Sequence, residues 1–374
     1  MVVHNVTPDL PPKIRIASMH EWVGHDLNSI IRKLRIKDQS LADRFVIDEE
    51  NPDYLILSDN AVLSHKSCTK LKHYLSARKD CIFIMNACEC IDPDLNVFDY
   101  AICWNRDLKC GDRITRNIPY IYTLTQEGTR INDLTPEEAR KILQDTPNFC
   151  CFVYSHPSEQ RDAFFHLLSQ YKHVDSLGKW LNNTGSQSTR DNADWYSLSI
   201  DIKRGYKFSI AMENAVYRGY TSEKIVSSLQ AHTVPIYWGD PAVTELINPK
   251  AFINCHDYSS FDEVIERVKE IDNNDDLWLD MVTQPWQTEE QRKTTLQDVA
   301  DYERFMHNIF SQDLKSARRR SIGFWGDKCR IHFTGYAGIM TPKYLMALKK
   351  IKRLAGKFLP DNAKTAIKHF LHMH

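Results

Sequence analysis

The sequence contains no apolar run long enough to span a bilayer, and its opening lacks a basic stretch followed by an apolar core. Neither a transmembrane helix nor a secretory signal is therefore predicted, and we expect a cytoplasmic protein. An excess of one charge is also missing, because 48 Lys and Arg stand against 49 Asp and Glu. The net charge of −1 gives no global positive field for phosphate backbones, so no nucleic-acid partner is expected.

Glycine and proline are scarce, at 13 and 15 of 374 residues, and the chain has no internal repeat and no low-complexity tract. Collagen-like, repeat-built and disordered chains are therefore excluded. Hydrophobic residues at 42% and aromatic residues at 11% are typical of an ordinary globular protein. The length predicts two domains, each large enough to bury its own core.

The ten cysteines lie mostly inside apolar segments, as at Cys81, Cys103 and Cys150, where a reduced thiol acts as a small core residue. Free thiols fit a reducing compartment. The triplet CEC at 88–90 looks like half a zinc site, but no second Cys or His pair at zinc-like spacing lies nearby. The DPD at 92–94 imitates a metal-binding Asp-x-Asp, yet its proline predicts a rigid turn. We therefore predict no metal site.

Strand and helix patterns alternate in the first half of the chain. Short apolar runs at 14–17, 54–57, 81–85 and 100–103 predict buried parallel strands, and helices are predicted at 27–34 and 64–78. This alternation is typical of an α/β layer architecture. A polar, proline-containing stretch at 127–148 predicts a helix that leads out of the first domain, with the boundary at Pro147.

The second half repeats the alternation. It predicts strands at 149–154, 206–212 and 234–238 and a helix at 158–171, and Pro235 makes the last strand tolerant of a sheet edge. Thr221 or Ser222 can cap a further helix that ends near Ala231. In open sheets of this kind, ligands sit outside the carboxyl ends of the strands, and a helix N-terminus there attracts phosphate.

One segment of the second half is dense in known motifs. Residues 206–252 read YKFSIAMENAVYRGYTSEKIVSSLQAHTVPIYWGDPAVTELINPKAF, with EN at 213–214, Tyr220, SEK at 222–224, PIYWG at 235–239 and NPK at 248–250. In order and spacing, this segment resembles the donor-binding motif of the α1,3/4-fucosyltransferases of glycosyltransferase family 10, of the bacterial type. A match of that length is far more specific than a single short motif.

Two further stretches support the resemblance. Glu89 precedes DPDLNVFDYAI at 92–102, which looks like the family's segment around its catalytic glutamate, although Cys88 and Cys90 replace the usual Gly and Asn. FVYS at 152–155 with RDAFF at 161–165 is similar to the entry into the family's donor domain. Together the similar stretches span roughly residues 80 to 290.

The resemblance implies a GT-B fold, in which two Rossmann-like domains face a cleft. It favours an N-terminal acceptor-side domain at 1–147, a GDP-fucose-binding domain at 148–330 and a C-terminal tail at 331–374. It also implies an inverting transfer of L-fucose from GDP-β-L-fucose to a hydroxyl of an oligosaccharide acceptor. The expected hydroxyl is O3 of GlcNAc or Glc in an N-acetyllactosamine, Lewis-type or lactose-type acceptor.

The resemblance also assigns roles to residues. Glu89 is the expected catalytic base, which takes the proton of the acceptor hydroxyl. Positive charges and fixed donors stabilise the leaving GDP, so no metal is required, and stimulation by Mn²⁺ or Mg²⁺ is left open. The carboxylate of Glu223 suits the ribose hydroxyls, and Asn214 is expected to meet the fucose or the phosphates. The residues expected to bind the donor are Arg161, Glu213, Asn214, Tyr220, Ser222, Glu223 and Lys224.

Several alternatives stay open. Taken alone, Glu89 reads as a solvated loop residue and Arg161 as a surface partner of Glu159 or Asp162. The chain as a whole is either an α1,3-fucosyltransferase, a fucosyltransferase of another linkage such as α1,4, or a non-catalytic GDP-sugar-binding protein of a polysaccharide assembly system. The basic amphipathic helix in 341–374 either packs on the protein or binds an anionic membrane surface at the inner face of the membrane.

Overall fold

The computed structural model of the chain describes residues 12–19, 26–58, 80–122, 132, 134–186, 192 and 194–321. These residues pack into two compact units. The first unit holds the described residues up to 88, residues 93–102 and those from 306 onward, and the second holds 89–92 and 103–305. Within these ranges, no helix is long and apolar enough to cross a membrane.

The first sheet has the strand order β2-β1-β3-β4-β5-β6. Its strands are β1 (Ile14–Met19), β2 (Phe45–Ile47), β3 (Tyr54–Leu57), β4 (Ile82–Asn86), β5 (Tyr100–Cys103) and β6 (Ile114–Arg116), with helices α1 (Leu27–Lys33) and α2 (Gln39–Ala42) between β1 and β2 in the chain. β1 pairs in parallel with β2 and β3, and β4 pairs in parallel with β3 and β5. β3, β4 and β5 are buried along their whole length, as parallel strands covered on both faces should be.

The sequence predictions for this sheet are largely confirmed. The strands expected at 54–57 and 100–103 have those bounds, and the two expected at 14–17 and 81–85 occur at 14–19 and 82–86. The helix expected at 27–34 is α1. The helix expected at 64–78 lies outside the described residues.

The second sheet has the order β11-β10-β9-β7-β8, and all four of its strand pairs are parallel. Its strands are β7 (Asn148–Phe152), β8 (Val174–Ser176), β9 (Tyr206–Met212), β10 (Val234–Trp238) and β11 (Ile253–Asn254). The remaining helices are α3 (Pro136–Gln144), α4 (Glu159–Tyr171), α5 (Trp195–Asp201), α6 (Glu223–Gln230), α7 (Phe261–Asp272), α8 (Asp275–Val282), α9 (Glu289–Ser311) and α10 (Leu314–Ala317). Short 3₁₀ turns lie at Val243–Glu245, Pro249–Ala251 and Cys255–Asp257.

Large apolar side chains fill the core of the second unit. Phe152 and Phe208 from the sheet pack in one cluster with Phe164 of α4 and Trp278 of α8. The indole of Trp278 also donates to the carbonyl of Lys207 at 2.9 Å, so its only polar atom is satisfied inside the core. This packing fixes the sheet whose carboxyl ends carry the candidate site.

The predictions for the second sheet are confirmed in type and mostly in bounds. The strands expected at 206–212 and 234–238 have those bounds, and the strand expected at 149–154 and the helix expected at 158–171 occur as β7 and α4. The helix expected between 127 and 148 is α3, which starts with a capping box between Thr135 and Glu138. β10 is an interior strand rather than an edge, but β11 pairs only with Ile236 and Tyr237, so Pro235 lies outside that ladder.

The division into two units differs from the predicted boundaries at 147 and 330. Residues 103–147 belong to the second unit, although β6 is a strand of the first sheet, and the described chain from 306 onward belongs to the first unit. The reason for the second difference is packing, because Phe310 contacts the rings of Phe45 and Tyr54 with centroids 4.9 and 4.8 Å away. Arg320 also pairs with the buried Asp99 at 3.2 Å. The tail predicted at 331–374 lies outside the described residues.

Candidate active site

The candidate site begins where β9 and β10 end side by side. Glu213 follows β9, and its backbone N–H donates to the carbonyl of Trp238 at 2.7 Å. Gly239 follows β10 with a φ of +151°, and a Cβ there would lie 2.4 Å from Glu213 Cγ. Only glycine therefore allows the backbone to pass this close to the glutamate.

The fully buried carboxylate of Glu213 holds the start of α6. It accepts the backbone N–H of Ser222 on Oε1 and the hydroxyl of Ser222 on Oε2, both at 2.8 Å. Lys224 Nζ donates to the same Oε2 at 3.0 Å and to Ser222 Oγ at 2.9 Å. The sequence predicted Glu213 as a donor-binding residue, which stays a prediction. In the structure this buried carboxylate holds Ser222 and Lys224 in position.

Lys224 stays positively charged at this position. Burial acts to lower its pKa, but the carboxylates of Glu213 and Glu223 outweigh burial and raise the pKa above its usual value. Burial also raises the pKa of Glu213, which Lys224 and the Ser222 N–H oppose. The Lys224 side chain keeps 22% of its surface exposed, so the ammonium is within reach of a ligand.

The N-terminus of α6 adds a partial positive charge. Of the two caps that the sequence predicted, Thr221 or Ser222, it is Ser222 that caps the helix, by accepting the backbone N–H of Lys224 at 3.4 Å. The buried Ile225, Val226 and Leu229 fix the helix against the core. Glu223 lies in the first turn, 3.7 Å from Lys224 Nζ.

The loop between β9 and α6 is held by Asp240, which the sequence reasoning missed. This buried carboxylate accepts the backbone N–H of Gly219 at 2.8 Å, the Thr221 hydroxyl at 2.7 Å and the backbone N–H of Ala242 at 2.8 Å. Gly219 has a φ of +94°, and a Cβ there would lie 2.1 Å from the carbonyl oxygen of Trp104. An acidic residue directly after a strand end was the available signal for Asp240.

Glu89, the predicted base, meets this loop within the second unit. Asn214 Nδ2 donates to Glu89 Oε2 at 3.0 Å, and the hydroxyl of Tyr220 donates to the same oxygen at 3.3 Å. The carboxylate is exposed, and its other oxygen, Oε1, is an acceptor of the kind that takes a proton from a hydroxyl. The structure therefore brings together Glu89, Asn214 and Tyr220, although Glu89 lies far from the other two in the sequence.

Tyr220 is a buried phenol that acts as a neutral donor. Its ring packs edge-on against Trp104 at 5.4 Å, and Trp104 stacks on Tyr120 at 6.0 Å. Burial raises the pKa of Tyr220, and the nearby carboxylates of Glu213 and Glu89 raise it further. The phenol therefore stays protonated across the physiological range.

Arg161 lies in the first turn of α4 and is 6% exposed. Its guanidinium sits 4.3 Å from the centre of the Tyr154 ring, and Nη2 donates to the carbonyl of His156 at 3.4 Å. Asp162 accepts the indole N–H of Trp180 at 3.0 Å. The Nε of Arg161 is buried without a partner among the described residues, so a hydrogen bond to a ligand would satisfy it.

A second residue that the sequence reasoning missed is Lys203, which is 5% exposed and lies behind α6. Its ammonium donates to Ser227 Oγ at 2.5 Å, to Ser228 Oγ at 3.3 Å and to the carbonyl of Lys224 at 3.5 Å. Burial lowers its pKa from 10.5 to about 8. A lysine in the polar segment DIKRGYK gave no sequence signal of burial.

The predicted lack of a metal site stays a prediction. Among the residues that the structure describes, no group of three or more His, Cys, Asp or Glu side chains is placed to hold a metal ion. The eight described cysteines are free thiols, including Cys88 and Cys90 beside Glu89. Asp92 accepts hydrogen bonds from Tyr217 and Asn105, so it is engaged in protein contacts.

Comparison with known proteins gives a match to one family model. Residues 144–319 match glycosyltransferase family 10 (fucosyltransferase), C-terminal part. An α-(1,3)-fucosyltransferase of Helicobacter pylori is 28% identical over 304 residues, which cover 73% of this chain and 60% of that protein. The human GDP-fucose protein O-fucosyltransferase 3 is 32% identical over 195 residues, which cover 50% of this chain and 39% of that protein. The chain thus spans less than two thirds of the length of these curated relatives.

Solved structures give the fold. An α1,3-fucosyltransferase solved with GDP-fucose superposes with a TM-score of 0.57 at 23% identity and covers 82% of this chain and 94% of its own. Another α1,3-fucosyltransferase structure has a TM-score of 0.59 at 21% identity over 85% of this chain and 95% of its own. This likeness confirms the predicted GT-B fold class.

Proposed function

We propose that the chain transfers L-fucose from GDP-fucose to a hydroxyl group, a proposal supported by the match of residues 144–319 to glycosyltransferase family 10 (fucosyltransferase). One observation carries the proposal. Asn214 and Tyr220, which lie within the matched residues, both donate to Glu89, a carboxylate far outside them. A carboxylate held beside the donor-binding segment is where a base for glycosyl transfer is needed.

The residues divide the chemistry between a base and a leaving-group site. Glu89 removes the proton of the acceptor hydroxyl as that oxygen attacks the anomeric carbon of fucose. The bond from this carbon to the GDP oxygen breaks, and attack from the opposite face converts the β-linked donor into an α-L-fucoside. Tyr220 and Asn214 hold Glu89 in place and leave its second oxygen, Oε1, for the proton.

The departing GDP carries extra negative charge, which fixed positive groups stabilise as it develops. Lys224 supplies a charged ammonium at the start of α6, and the helix N-terminus adds its partial charge. Arg161 offers its unpartnered Nε to the phosphates or the fucose. Glu223 is proposed to bind the ribose hydroxyls, and this set of donors needs no metal ion, with Mn²⁺ or Mg²⁺ acting at most as a stimulant.

The proposed acceptor is an N-acetyllactosamine-type or lactose-type sugar, and the proposed linkage is to O3 of GlcNAc or Glc. The similarity to the Helicobacter pylori α-(1,3)-fucosyltransferase supports this choice. A polypeptide hydroxyl is a second candidate acceptor, because the chain is also similar to the human GDP-fucose protein O-fucosyltransferase 3. A cytoplasmic location and an attachment of residues 341–374 to anionic membrane surfaces complete the proposal.

The test is transfer by the purified full chain without added metal. The chain is incubated with GDP-fucose and either N-acetyllactosamine, lactose or a Ser/Thr-containing peptide mixture, and products are weighed by mass spectrometry. We expect the sugar acceptors to gain one deoxyhexose. Glu89→Gln should lower transfer by about 10² to 10⁴-fold because it removes the base, while GDP-fucose binding by calorimetry stays unchanged.

A matched control removes the same charge elsewhere in the second unit. Glu137 is an exposed residue in the first turn of α3, and Glu137→Gln should transfer fucose like the unchanged chain. Transfer that survives Glu89→Gln would contradict the assigned base. GDP-fucose binding without transfer to any acceptor would support the non-catalytic GDP-sugar-binding alternative, and modified peptides alone would move the acceptor to polypeptides.

A further inference from the structure

The segment 89–92 is attached to the donor loop at a second point, three residues beyond Glu89. The hydroxyl of Tyr217 donates a short hydrogen bond to Asp92 Oδ1. Asn105 Nδ2 donates to the same oxygen at 3.0 Å. All of these residues belong to the second unit, so the attachment lies within one compact body.

The position of Asp92 is transmitted to Glu89 through a tight turn. The backbone N–H of Ile91 donates to the carbonyl of Glu89 at 2.9 Å, so the chain turns tightly just before Asp92. A shift of Asp92 therefore moves the Glu89 backbone with it. The side-chain contacts of Glu89 with Asn214 and Tyr220 fix only its carboxylate end.

Tyr217 is itself held on a fixed loop. The next residue, Arg218, pairs with Asp107 at 2.8 Å and with Glu245 at 2.8 Å, and Gly219 is bound by Asp240 at 2.8 Å. Burial raises the pKa of Tyr217, and the hydrogen bond to Asp92 raises it further, so the phenol keeps its proton. The loop thus presents a permanent donor to Asp92.

We propose that Tyr217, acting through Asp92, is a positioning residue that holds the backbone of Glu89 in register with the donor loop. This inference rests on the proposed role of Glu89 as the base. Glu89 is exposed and its side chain has several rotatable bonds, so hydrogen bonds to one carboxylate oxygen define the position of the other only when the backbone end is also held. A misplacement of about 1 Å at a reacting group can cost on the order of 10²-fold in rate.

The test compares variants that break the same bond from opposite sides. Tyr217→Phe removes only the hydroxyl, and Asp92→Ala removes the acceptor. We expect each to lower kcat by about tenfold, with KM for GDP-fucose within about twofold, since the donor contacts of Lys224 and Arg161 are untouched. The double variant should be no slower than either single variant. Asp92→Asn keeps an acceptor oxygen and should lose less.

The chain offers a matched control in a second Tyr–Asp bond. Tyr171 donates to Asp272 Oδ2 at 2.9 Å at the end of α4, away from the described site residues. Tyr171→Phe should leave kcat and KM unchanged. If Tyr171→Phe lost as much kcat as Tyr217→Phe, the loss would come from a general structural change and not from the position of Glu89. That result would overturn the inference.

The decisive variant combines both residues. In Glu89→Gln the base is gone, so adding Tyr217→Phe should lower the residual rate no further. A full additional tenfold loss there, or an unchanged kcat in Tyr217→Phe alone, would overturn the inference. Failure of the proposed function gives a different pattern, because the unchanged chain would then transfer no fucose to any acceptor. Failure of the assigned base alone would leave Glu89→Gln as fast as the unchanged chain.

Discussion

Lys203→Met should make the protein more stable at neutral pH, although it removes a buried charged residue with three hydrogen bonds. The ammonium lies behind α6 and contacts two hydroxyls and one carbonyl, all of them uncharged groups. Neutral partners only partly replace water around a charge, so the charged amine is less stable in the native protein than in water. Methionine has a similar length and no charge to desolvate.

The shift in the pKa of Lys203 gives the size of the expected stability gain. Burial lowers the pKa of Lys203 from 10.5 to about 8. At about 1.4 kcal/mol for each pKa unit, this difference of about 2.5 corresponds to a destabilisation of about 3 kcal/mol at pH 7. The hydroxyls left behind keep other partners, because Ser227 and Ser228 both donate to the carbonyl of Lys224, at 3.1 and 2.9 Å. Lys203→Met should therefore gain about 3 kcal/mol at pH 7.

The gain should depend on pH in a defined direction. Between pH 8 and 10.5 the unfolded chain keeps the Lys203 proton while the native protein has released it. Stability of the unchanged protein therefore rises with pH across this window relative to the variant. The advantage of Lys203→Met should be full below pH 8 and close to zero above pH 10.5.

Thermal unfolding of both proteins at several pH values from 7 to above 10.5 measures this difference. Lys207→Met is the matched control, because Lys207 has carboxylate partners in Asp275 at 3.1 Å and Asp272 at 3.7 Å. Removing that paired lysine should destabilise the protein, the opposite sign. An advantage of Lys203→Met that is the same at the two ends of the pH range, or a loss of stability at pH 7, would refute the electrostatic reasoning.

Two further variants test the backbone and the ion pair at the strand ends. Gly239→Ala should lower the free energy of unfolding by about 2 kcal/mol, because its Cβ would lie 2.4 Å from the buried Glu213 at a φ of +151°. Chemical denaturation measures this loss. An unchanged denaturation midpoint would contradict the close approach of Gly239 to Glu213. Glu213→Gln should cost about 3 kcal/mol because Lys224 loses its closest buried carboxylate, and it should also weaken GDP binding by calorimetry. Normal GDP affinity in that variant would show that Lys224 needs no positioning.

The strands were predictable because buried parallel strands are continuous apolar runs in the sequence. YLIL at 54–57 carries that signal in full and YKFSIAM at 206–212 carries it apart from Lys207 and Ser209, and the bounds of both strands agree with the structure. The Ser222 cap was also predictable from neighbouring residues, since a serine directly before a helix favours that role. Such elements depend on residues that are neighbours in the chain.

The failures lie where distant segments meet. Nothing near Lys203 in the sequence shows that α6 covers it, and nothing near Glu213 shows that three donors occupy its oxygens. The contact of Glu89 with Asn214 joins residues 125 positions apart. The resemblance to a family pointed to the candidate site residues. Only tertiary packing shows which of these residues are buried and which are exposed to solvent.

Because Glu213 is buried beside Lys224, its negative charge offsets part of the positive charge that Lys224 brings to the site. Lys224 already lies beside two carboxylates, Glu213 at 3.0 Å and Glu223 at 3.7 Å, so it brings little unbalanced charge to a diphosphate. Lys203 and Arg161 make their hydrogen bonds to hydroxyls and carbonyls and thus keep their charge uncompensated by those contacts. In the proposed site, Lys224 therefore acts mainly through a directed hydrogen bond, and the α6 N-terminus adds its partial positive charge.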